Sequence, residues 1–317
     1  MRVVELEEFR DRVSMSAAIA AVERGFKALA LGQATLPEPM VMERSRPTGE
    51  VHVKAGHLSG SRFIVFKVAT GFPANQERGL PSADGLFLLL DASSGVPVLV
   101  LAEHGYLTDL RTAAAIALTL RYLAPAPKDA RTALLVGAGG LARLTALAIL
   151  AERPIERLTI WNRTRERAER LARELTGVVS THVAPALESA VRDHRIIVCV
   201  TASTKPLIKA TWVKRGTHIT SAGTGSPEKV ELEPALLAKA DKLFADRVVQ
   251  TEQYGNLHHA LAAGVVTRRK VTGELGDLAA LRLPGREKPD EITVVDLTGV
   301  GVQNAAIAEA VVEALGL

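Results

Sequence analysis

The chain has 317 residues, of which 47% are hydrophobic and 23% charged, and this length is enough for two compact domains. Its formal charge of +4 is small and its arginines are scattered with few aromatic residues between them, so nucleic-acid binding is not expected. The single cysteine, Cys199, excludes an intramolecular disulfide, and the lack of a secretory leader or a long apolar run predicts a cytoplasmic protein without membrane contact.

The first region, residues 1–118, has the pattern of a small α+β domain. A helix is expected over about Met15 to Leu31. Apolar runs predict strands at Arg62–Val68, Gly85–Asp91 and Val96–Leu101, the last two joined by the turn Ala92–Gly95.

From Pro125 to about Asp296, strands alternate with helices, which predicts an α/β fold with a doubly wound parallel sheet. The expected strands are Ala133–Val136, Leu158–Trp161, Val178–His182, Ile196–Thr201, His218–Ser221, Lys242–Ala245 and Ile292–Asp296. The segment 229–242, rich in Lys and Glu, is expected to be a solvated helix face. Beyond Gly299, an Ala-rich helix is expected to return to the first domain. The predicted domains are therefore residues 1–118 completed by 300–317, and residues 119–299.

A glycine-rich turn follows the first strand of the second domain and resembles the Rossmann dinucleotide-binding turn. Its glycines would let the backbone approach a pyrophosphate, and the helix that follows would direct its positive N-terminal end at that charge. The residues predicted to form this cofactor site are Gly137, Ala138, Gly139, Gly140 and Leu141.

The end of the next strand indicates which dinucleotide is bound. Enzymes that use NAD usually place Asp or Glu there to hold the ribose 2′-hydroxyl. Here the residues are Asn162, Arg163 and Thr164. Asn162 would not repel a 2′-phosphate and the other two could bind one, which favours NADP(H), with NAD(H) as the alternative. A solvated arginine in a basic helix start would explain Arg163 equally simply.

Motifs along nearly the whole chain resemble those of the ornithine cyclodeaminase/mu-crystallin family. They are Phe66–Asn75, Gly79–Ser82, Leu107–Ala114, Gly137–Gly139, Thr201–Thr204, Gly216–Ile219, Ser226–Leu232 and Asp296–Gly299. The family includes ornithine cyclodeaminases, alanine dehydrogenases, ketimine reductases and imino-acid reductases, all with a nicotinamide cofactor. The resemblance implies a homodimer in which the smaller domain makes the interface and most of the substrate pocket.

The resemblance also assigns residues to the substrate. Lys67 and Arg111 match the lysine and arginine that bind the substrate α-carboxylate, and the lysine can also exchange a proton. An arginine fork suits a carboxylate, and a buried lysine beside another cation has a lowered pKa. Arg44, with Arg46 as its competitor, is the candidate for a further basic contact, and Ser82 is a candidate substrate contact.

Further positions are expected near the cofactor. Asp296 ends a strand beside the expected nicotinamide position and is a catalytic candidate, with a helix cap as the alternative. The remaining predicted cofactor contacts are Thr112, Thr201, Ala202, Ser203, Gly223 and Thr298. No spacing among the histidines predicts a metal site.

Two departures from the cyclodeaminase pattern bear on the reaction. Cyclodeaminases carry an aspartate two residues before a proline, where this chain has Gly225. They also carry a glutamate about thirteen residues before the lysine, where this chain has Lys54, which would repel an ammonium and favour a neutral tail or a second carboxylate. A solvated lysine on an edge strand is the alternative explanation of Lys54.

These departures favour reversible hydride transfer between NAD(P)H and an α-imino acid, giving an α-amino acid. One alternative is a cyclodeaminase-type lyase that releases ammonia with catalytic NAD. The other is a non-catalytic, NADPH-dependent binding protein for a small ligand, like mu-crystallin. The sequence does not identify the amino or imino acid.

Overall fold

A computed structural model describes residues 1–45 and 48–317 of the chain, so Arg46 lies outside the described residues. The chain forms two compact units. Unit 1 comprises Met1–Arg111 and Val300–Leu317, and unit 2 comprises Thr112–Gly299. Unit 1 is therefore assembled from both ends of the chain, whereas unit 2 is one continuous segment.

Unit 1 is built on a seven-stranded sheet. Its elements are β1 (Arg2–Glu5), α1 (Leu6–Phe9), α2 (Met15–Ala30), β2 (Ala34–Thr35), β3 (Met40–Ser45), β4 (Thr48–Leu58), β5 (Phe63–Gly71), β6 (Ala83–Asp91), β7 (Pro97–Ala102) and the start of α3 (Tyr106–Leu123). The strand order is β1-β7-β6-β5-β4-β2, with β3 also paired to β4. Only the β1–β7 pair is parallel.

The last helix of the chain closes one face of this sheet. Helix α11, the eleventh helix (Gly301–Leu315), packs against α2, β4 and β5. The backbones of β4 and α11 approach each other closely, because a Cβ atom at Gly56 would lie 2.7 Å from the carbonyl oxygen of Gly301. Successive side chains of a strand lie on opposite faces of the sheet. Every second residue of β4, counted from Gly56, and the residues of β5 paired with them therefore have their side chains on this covered face. We call it the inner face of the sheet.

Unit 2 contains an eight-stranded, wholly parallel sheet. Its elements after α3 are β8 (Thr132–Val136), α4 (Gly140–Glu152), β9 (Arg157–Trp161), α5 (Arg165–Glu174), β10 (Ser180–Val183), α6 (Leu187–Asp193), β11 (Ile196–Cys199), β12 (His218–Ser221), α7 (Pro234–Lys239), β13 (Lys242–Ala245), α8 (Val248–Thr251), α9 (Asn256–Ala262), β14 (Gly273–Glu274), α10 (Leu275–Ala279) and β15 (Thr293–Asp296).

The strand order β10-β9-β8-β11-β12-β15-β13-β14 reverses direction between β8 and β11. In doubly wound sheets, ligands bind outside the carboxyl ends of the strands at such a reversal. The predicted fold class, a Rossmann-type parallel sheet with a smaller α+β domain, is confirmed. The short strand β14 was not predicted. None of the helices in the described part of the chain is long and apolar enough to cross a membrane.

Candidate active site

Two buried lysines lie side by side on the inner face of the unit 1 sheet. Lys54 of β4 pairs directly with Lys67 of β5 in the antiparallel register. Both side chains are buried, with exposures of 5% and 3%. The alternative of a solvated Lys54 on an edge strand is therefore wrong, because β4 is flanked by β5 on one side and by β2 and β3 on the other.

Arg111 adds a third buried cation to unit 1. It lies in the second turn of α3, is 6% exposed, and donates from Nη1 to Oε1 of Gln303 over 3.0 Å. The same Gln303 oxygen accepts from the backbone N–H of Val300, so this side chain ties the arginine to the start of α11. Gln303 was not predicted, and only its place in the motif that follows Gly299 could have indicated it.

The surroundings of Lys67 favour its neutral form. Burial is the largest cause and lowers the pKa of Lys67 well below its ordinary value of 10.5, and the charges of Arg111 and Lys54 lower it further. The carboxylates of Glu103 and Asp109 act in the opposite direction. A lysine with a lowered pKa releases its proton more readily than an ordinary lysine, which suits acid–base catalysis.

Glu103 fixes the start of α3 and thereby the position of Arg111. It is fully buried and accepts hydrogen bonds from the backbone N–H groups of Leu107 and Thr108 and from the Thr108 hydroxyl, over 2.7, 3.1 and 2.9 Å. Gly85 leaves room for it, because a Cβ there would lie 2.7 Å from Oε1 of Glu103. Glu103 stands in no recognisable motif and was not predicted from the sequence.

Asp109 lies one turn into α3, near the same charges. Burial, and then the charge of Glu103, raises its pKa to about 7, against the opposing effect of Arg111 and Lys67. Lys67 thus has two basic groups, Lys54 and Arg111, and two acidic groups near it, and of the acidic groups Glu103 already accepts three hydrogen bonds from protein groups.

Two other predicted substrate residues of unit 1 lie in more open places. Arg44 is exposed on β3, where it pairs with Gly49 of β4. Ser82 is half-buried just before β6, and its carbonyl oxygen accepts from the backbone N–H of Phe72 over 2.7 Å. The roles of Arg44 and Ser82 in substrate binding stay predictions.

In unit 2, the turn from β8 to α4 has the geometry that a dinucleotide requires. Gly137 has a φ of 118°, and a Cβ there would lie 2.7 Å from the carbonyl oxygen of Val200. Gly139 is the N-cap of the 13-residue helix α4, and a Cβ there would have no atom within 4 Å among the described residues. Open space beside free helical N–H groups fits a pyrophosphate, so these residues could hold the cofactor.

The Asn162 side chain shapes this turn. Its Oδ1 accepts from the backbone N–H of Ala138 over 3.2 Å, and its Nδ2 donates to the carbonyl oxygen of Thr164 over 2.8 Å. Arg163 and Thr164 are exposed immediately before α5. The residues that follow β9 include no carboxylate at these three positions. Direct contact of Asn162, Arg163 and Thr164 with a ribose or its phosphate stays a prediction.

The loops after β11 and β12 are joined by one buried carboxylate. Glu231 accepts from the backbone N–H and hydroxyl of Thr201, from the Ser221 hydroxyl and from the backbone N–H of Gly223. Burial raises the pKa of Glu231, while these hydrogen bonds lower it. The predicted solvated helix over residues 229–242 is wrong: only Pro234–Lys239 is helical, and Glu231 is fully buried.

Asp296 is also fully buried at the end of β15. It accepts from the backbone N–H of Leu257, from Nδ2 of Asn256 and from the Thr224 hydroxyl, over 2.9, 2.8 and 3.2 Å. Burial is the largest cause that raises its pKa to about 7. Through these hydrogen bonds Asp296 connects β15 to α9. Its catalytic role stays a prediction.

Four remaining cofactor candidates follow strands or begin unit 2. The Thr298 hydroxyl donates to Asp246 and accepts from Nε2 of Gln250, so this turn is held inside unit 2. Ala202 is exposed, Ser203 is half-buried and Thr112 is buried.

At Gly225, a Cβ would have no atom of the described residues within 4 Å. Among residues 1–45 and 48–317, no group of three or more His, Cys, Asp or Glu could hold a metal ion.

Comparison with known proteins identifies the family. The model of the ornithine cyclodeaminase/mu-crystallin family matches residues 2–316. The chain belongs to this family. It is 36% identical to an uncharacterized cyclodeaminase of Sinorhizobium fredii, covering 97% of this chain and 94% of that protein. It is 34% identical to the iminosuccinate reductase of Paracoccus denitrificans, covering 99% and 96%.

Solved structures agree over the whole chain. The Delta(1)-pyrroline-2-carboxylate reductase of Thermococcus litoralis, in complex with NADH and L-proline, has a TM-score of 0.94 at 27% identity and covers 99% of this chain and 97% of its own. An archaeal alanine dehydrogenase dimer with bound NAD has a TM-score of 0.92 at 31% identity, covering 98% and 95%. The resemblance to the family and the prediction of an enzyme with a nicotinamide cofactor are confirmed.

Proposed function

We propose that this protein is an NAD(P)H-dependent reductase that interconverts an α-imino acid and an α-amino acid by hydride transfer. The observation that carries the proposal is the buried pair of Lys67 and Arg111 in unit 1 of a chain whose unit 2 has a dinucleotide-binding turn. Relatives named for this chemistry, on imino and amino acids of different size, support the assignment.

The protein residues perform binding and proton transfer. Arg111, oriented by Gln303, would hold the substrate α-carboxylate with its planar fork. Lys67 would place its nitrogen beside the same carboxylate and exchange a proton with the substrate nitrogen, as its lowered pKa permits. When bound, the nicotinamide supplies the hydride. Protonation of the imine nitrogen makes the adjacent carbon more electrophilic, so the lysine acts on the reacting bond.

The nearest alternative is a cyclodeaminase-type lyase, and one relative bears that name. Gly225 argues against it, because glycine offers neither a base nor a charge partner for the substrate amine. The third reading, a non-catalytic NADPH-dependent binding protein, would require tight cofactor binding without turnover.

The deciding experiment follows absorbance of the reduced nicotinamide with NADH and NADPH in parallel. Pyruvate, glyoxylate and oxaloacetate are each supplied with ammonia or methylamine, and cyclic ketimines are supplied alone. Loss of reduced cofactor in proportion to the amino acid formed supports the reductase. Ammonia released from ornithine at constant cofactor would establish the lyase instead, and tight NADPH binding with neither reaction would favour the binding protein.

For the cofactor, we propose NADP(H) ahead of NAD(H). The support is the exposed pair Arg163 and Thr164 at the start of α5, with no carboxylate at the end of β9. The relatives solved with NADH or NAD make the second dinucleotide the serious alternative. Arg163→Ala should weaken NADPH binding about tenfold and leave NADH binding nearly unchanged. Equal effects on both would contradict the preference.

We also propose a homodimer formed through the outer face of the unit 1 sheet, which is the face opposite to the one that α11 covers. That face carries the apolar side chains Phe66 and Val68 of β5 and Leu86 and Leu88 of β6, which are half-buried or exposed. An apolar patch of this kind marks an interface, and one relative is named as a dimer. Leu88→Asp should give a monomer in light scattering after size exclusion. The same change at Leu281, an exposed leucine of unit 2, should not.

A further inference from the structure

The inner face of the unit 1 sheet becomes more exposed toward the start of β4. Its pair of Lys54 with Lys67 is buried, with exposures of 5% and 3%. The next inner-face pair, His52 with Ala69, is half-buried, and so is Glu50, the inner-face residue of β4 beyond it. His52 is therefore the first inner-face residue of β4 that follows the buried lysines toward solvent.

The register also places His52 within reach of Lys67. Lys67 pairs directly with Lys54, so His52 is its diagonal neighbour across the two strands. Such neighbours are about 7–8 Å apart, a distance that an imidazole and a lysine side chain can cover together. The inner-face positions beside His52 carry small residues, Ala69 on β5 and Gly85 on β6. Their side chains do not fill the space next to the imidazole.

Glu50 holds the His52 ring by one of its two nitrogen atoms. Oε2 of Glu50 lies 3.1 Å from Nε2 of His52, and the histidine side chain is 13% exposed. A carboxylate at one ring nitrogen fixes the orientation of an imidazole, and the other nitrogen, here Nδ1, then exchanges protons. Imidazole is the side chain best suited to gain and lose a proton near neutral pH.

The proposed reaction needs a supply of protons at Lys67. In each turnover the imine carbon receives the hydride, and the imine nitrogen receives a proton from the Lys67 ammonium, which leaves a neutral lysine and the product amine. Lys67 must regain a proton before the next turnover, yet it has almost no direct contact with solvent. Glu103 is an unsuitable source, because it is fully buried as well.

We propose that His52, oriented by Glu50, carries protons from solvent to Lys67. In each turnover the protonated imidazole gives the proton on Nδ1 to the neutral Lys67 amine and takes another from water. His52 thus acts through Lys67, as a relay residue that does not contact the substrate. This role rests on the proposed reductase function and adds the path by which its proton arrives.

The test separates the first turnover from those that follow. Enzyme loaded with reduced cofactor is mixed rapidly with pyruvate and ammonia, and nicotinamide absorbance is recorded. In His52→Asn the first turnover should keep the wild-type rate, because burial, Arg111 and Lys54 are the largest influences on the initial charge of Lys67. The steady rate should then be about 10- to 100-fold lower than in wild type. Added imidazole should raise the steady rate and leave the first turnover unchanged.

The control is the same change at an exposed histidine of unit 1. His104 also has a carboxylate partner, with Nδ1 lying 2.9 Å from Oδ1 of Asp84, but its side chain is 54% exposed. His104→Asn should leave both phases at the wild-type rate, without a response to imidazole. Its φ of 49° is one that asparagine adopts readily.

A second variant serves if His52→Asn does not fold. Glu50→Gln keeps the imidazole but weakens the contact that orients it. The steady rate should fall about fivefold, the effect of one hydrogen bond, while the first turnover keeps the wild-type rate.

Three results overturn the proposal. One is an unchanged steady rate in His52→Asn or, where that variant does not fold, in Glu50→Gln. Another is an equal loss in both phases without a response to imidazole, which would mean a structural role. The third is a slow steady phase in Asp109→Asn but not in His52→Asn, which would make Asp109 the proton carrier, since its charge also acts on Lys67. In all three the reductase function stands, whereas failure of wild type to reduce any imine would remove the proposed function and this relay with it.

Discussion

Glu231 accepts hydrogen bonds from both the backbone N–H and the hydroxyl of Thr201, the second residue after the end of β11. Its second oxygen accepts from the Ser221 hydroxyl and from the backbone N–H of Gly223. One buried carboxylate therefore connects the loops after two neighbouring parallel strands, at the carboxyl edge where doubly wound sheets in general bind ligands. Gly223 is tight against the same loop, since a Cβ there would lie 1.9 Å from the carbonyl oxygen of Thr201.

Removing the charge at this position should loosen both loops. In Glu231→Gln, the amide nitrogen cannot accept the hydrogen bonds of Ser221 and Gly223, and we expect a loss of about 1–3 kcal/mol in the free energy of unfolding. Cofactor affinity should fall with it. Urea titration and fluorescence of bound NADPH measure the two effects. Glu228→Gln, at an exposed carboxylate nearby, is the control, and a similar loss there would refute this account.

An alanine substitution should affect stability at one glycine of the β8–α4 turn and dinucleotide binding at another. Gly137→Ala places a Cβ against Val200 in a left-handed backbone, so stability should fall by about 1–3 kcal/mol. Gly139→Ala places its Cβ in open space in an extended backbone, so stability should hardly change. Gly139→Ala should nevertheless weaken dinucleotide binding about tenfold or more, because its methyl group occupies space needed by the pyrophosphate. Unchanged affinity in Gly139→Ala would mean that the dinucleotide does not approach this backbone.

Lys67→Ala should reduce turnover by about 10²- to 10⁴-fold, the range for loss of a general acid or base. Cofactor affinity should stay close to wild type, because Lys67 belongs to unit 1 and the predicted pyrophosphate contacts belong to unit 2. Single-turnover kinetics with a cofactor titration separates the two. Preserved turnover would eliminate the assigned role of Lys67.

Asp296 should make stability depend on pH. Its pKa is raised from 3.8 to about 7 in the folded protein, so between these values the folded state holds a proton that the unfolded state has lost. Its contribution is complete below about pH 4 and is lost as the pH rises through 7. Asp109 and Glu231 act in the same direction. Asp296→Asn should therefore reduce, without abolishing, the fall in unfolding free energy between pH 4 and 7.

The matched control for this measurement is Asp91→Asn. Asp91 is exposed to solvent, and hydrogen bonds from Ser93 and Ser94 lower its pKa to about 2. Because its pKa is about 2 in the folded protein and 3.8 ordinarily, most of its contribution changes below the window, and the slope between pH 4 and 7 should stay close to that of wild type. An unchanged slope in Asp296→Asn would show that this carboxyl is ionised in the folded protein at pH 4.

Asn304, in the first turn of α11, allows the free-energy cost of a buried polar side chain in unit 1 to be measured. It is fully buried, and neither its Nδ2 nor its Oδ1 has a hydrogen-bond partner within the described residues. Asn304→Leu, of similar volume, should raise the free energy of unfolding by about 1 kcal/mol because it removes the uncompensated desolvation. Asn304→Ala should raise it less, since it leaves a cavity. A gain in stability with a loss of turnover would indicate that the amide contacts the substrate.

Local patterns predicted the parallel sheet of unit 2 closely. The strands β8, β9, β11, β12, β13 and β15 begin and end within two residues of their predicted bounds. These strands are short apolar runs separated by helices, so each is recognisable without its neighbours. The glycine turn was recognisable for a similar reason, because its conformation is set by residues adjacent in sequence.

Contacts between distant segments could not be predicted in this way. Glu231 lies in a charged segment whose composition suggested exposure, and only the folded loops bring Thr201 and Ser221 to it. Glu103 likewise has no motif of its own. Lys54 could be counted back from Lys67, but whether it faced solvent depended on β2 and β3 pairing beyond it. The burial of a charge is decided by tertiary neighbours, which are remote in the sequence.

Assembly of unit 1 from both ends of the chain has a consequence for synthesis. Helix α11, which packs on the inner face of its sheet, follows unit 2 in the chain and so is synthesised after all of that unit. The strands that carry Lys54 and Lys67 therefore wait for their covering helix while the whole of unit 2 is synthesised. A chain without α11 would keep Lys54, Lys67 and Arg111, but Arg111 would lose its partner Gln303 and the two lysines would lose the helix that covers their face of the sheet.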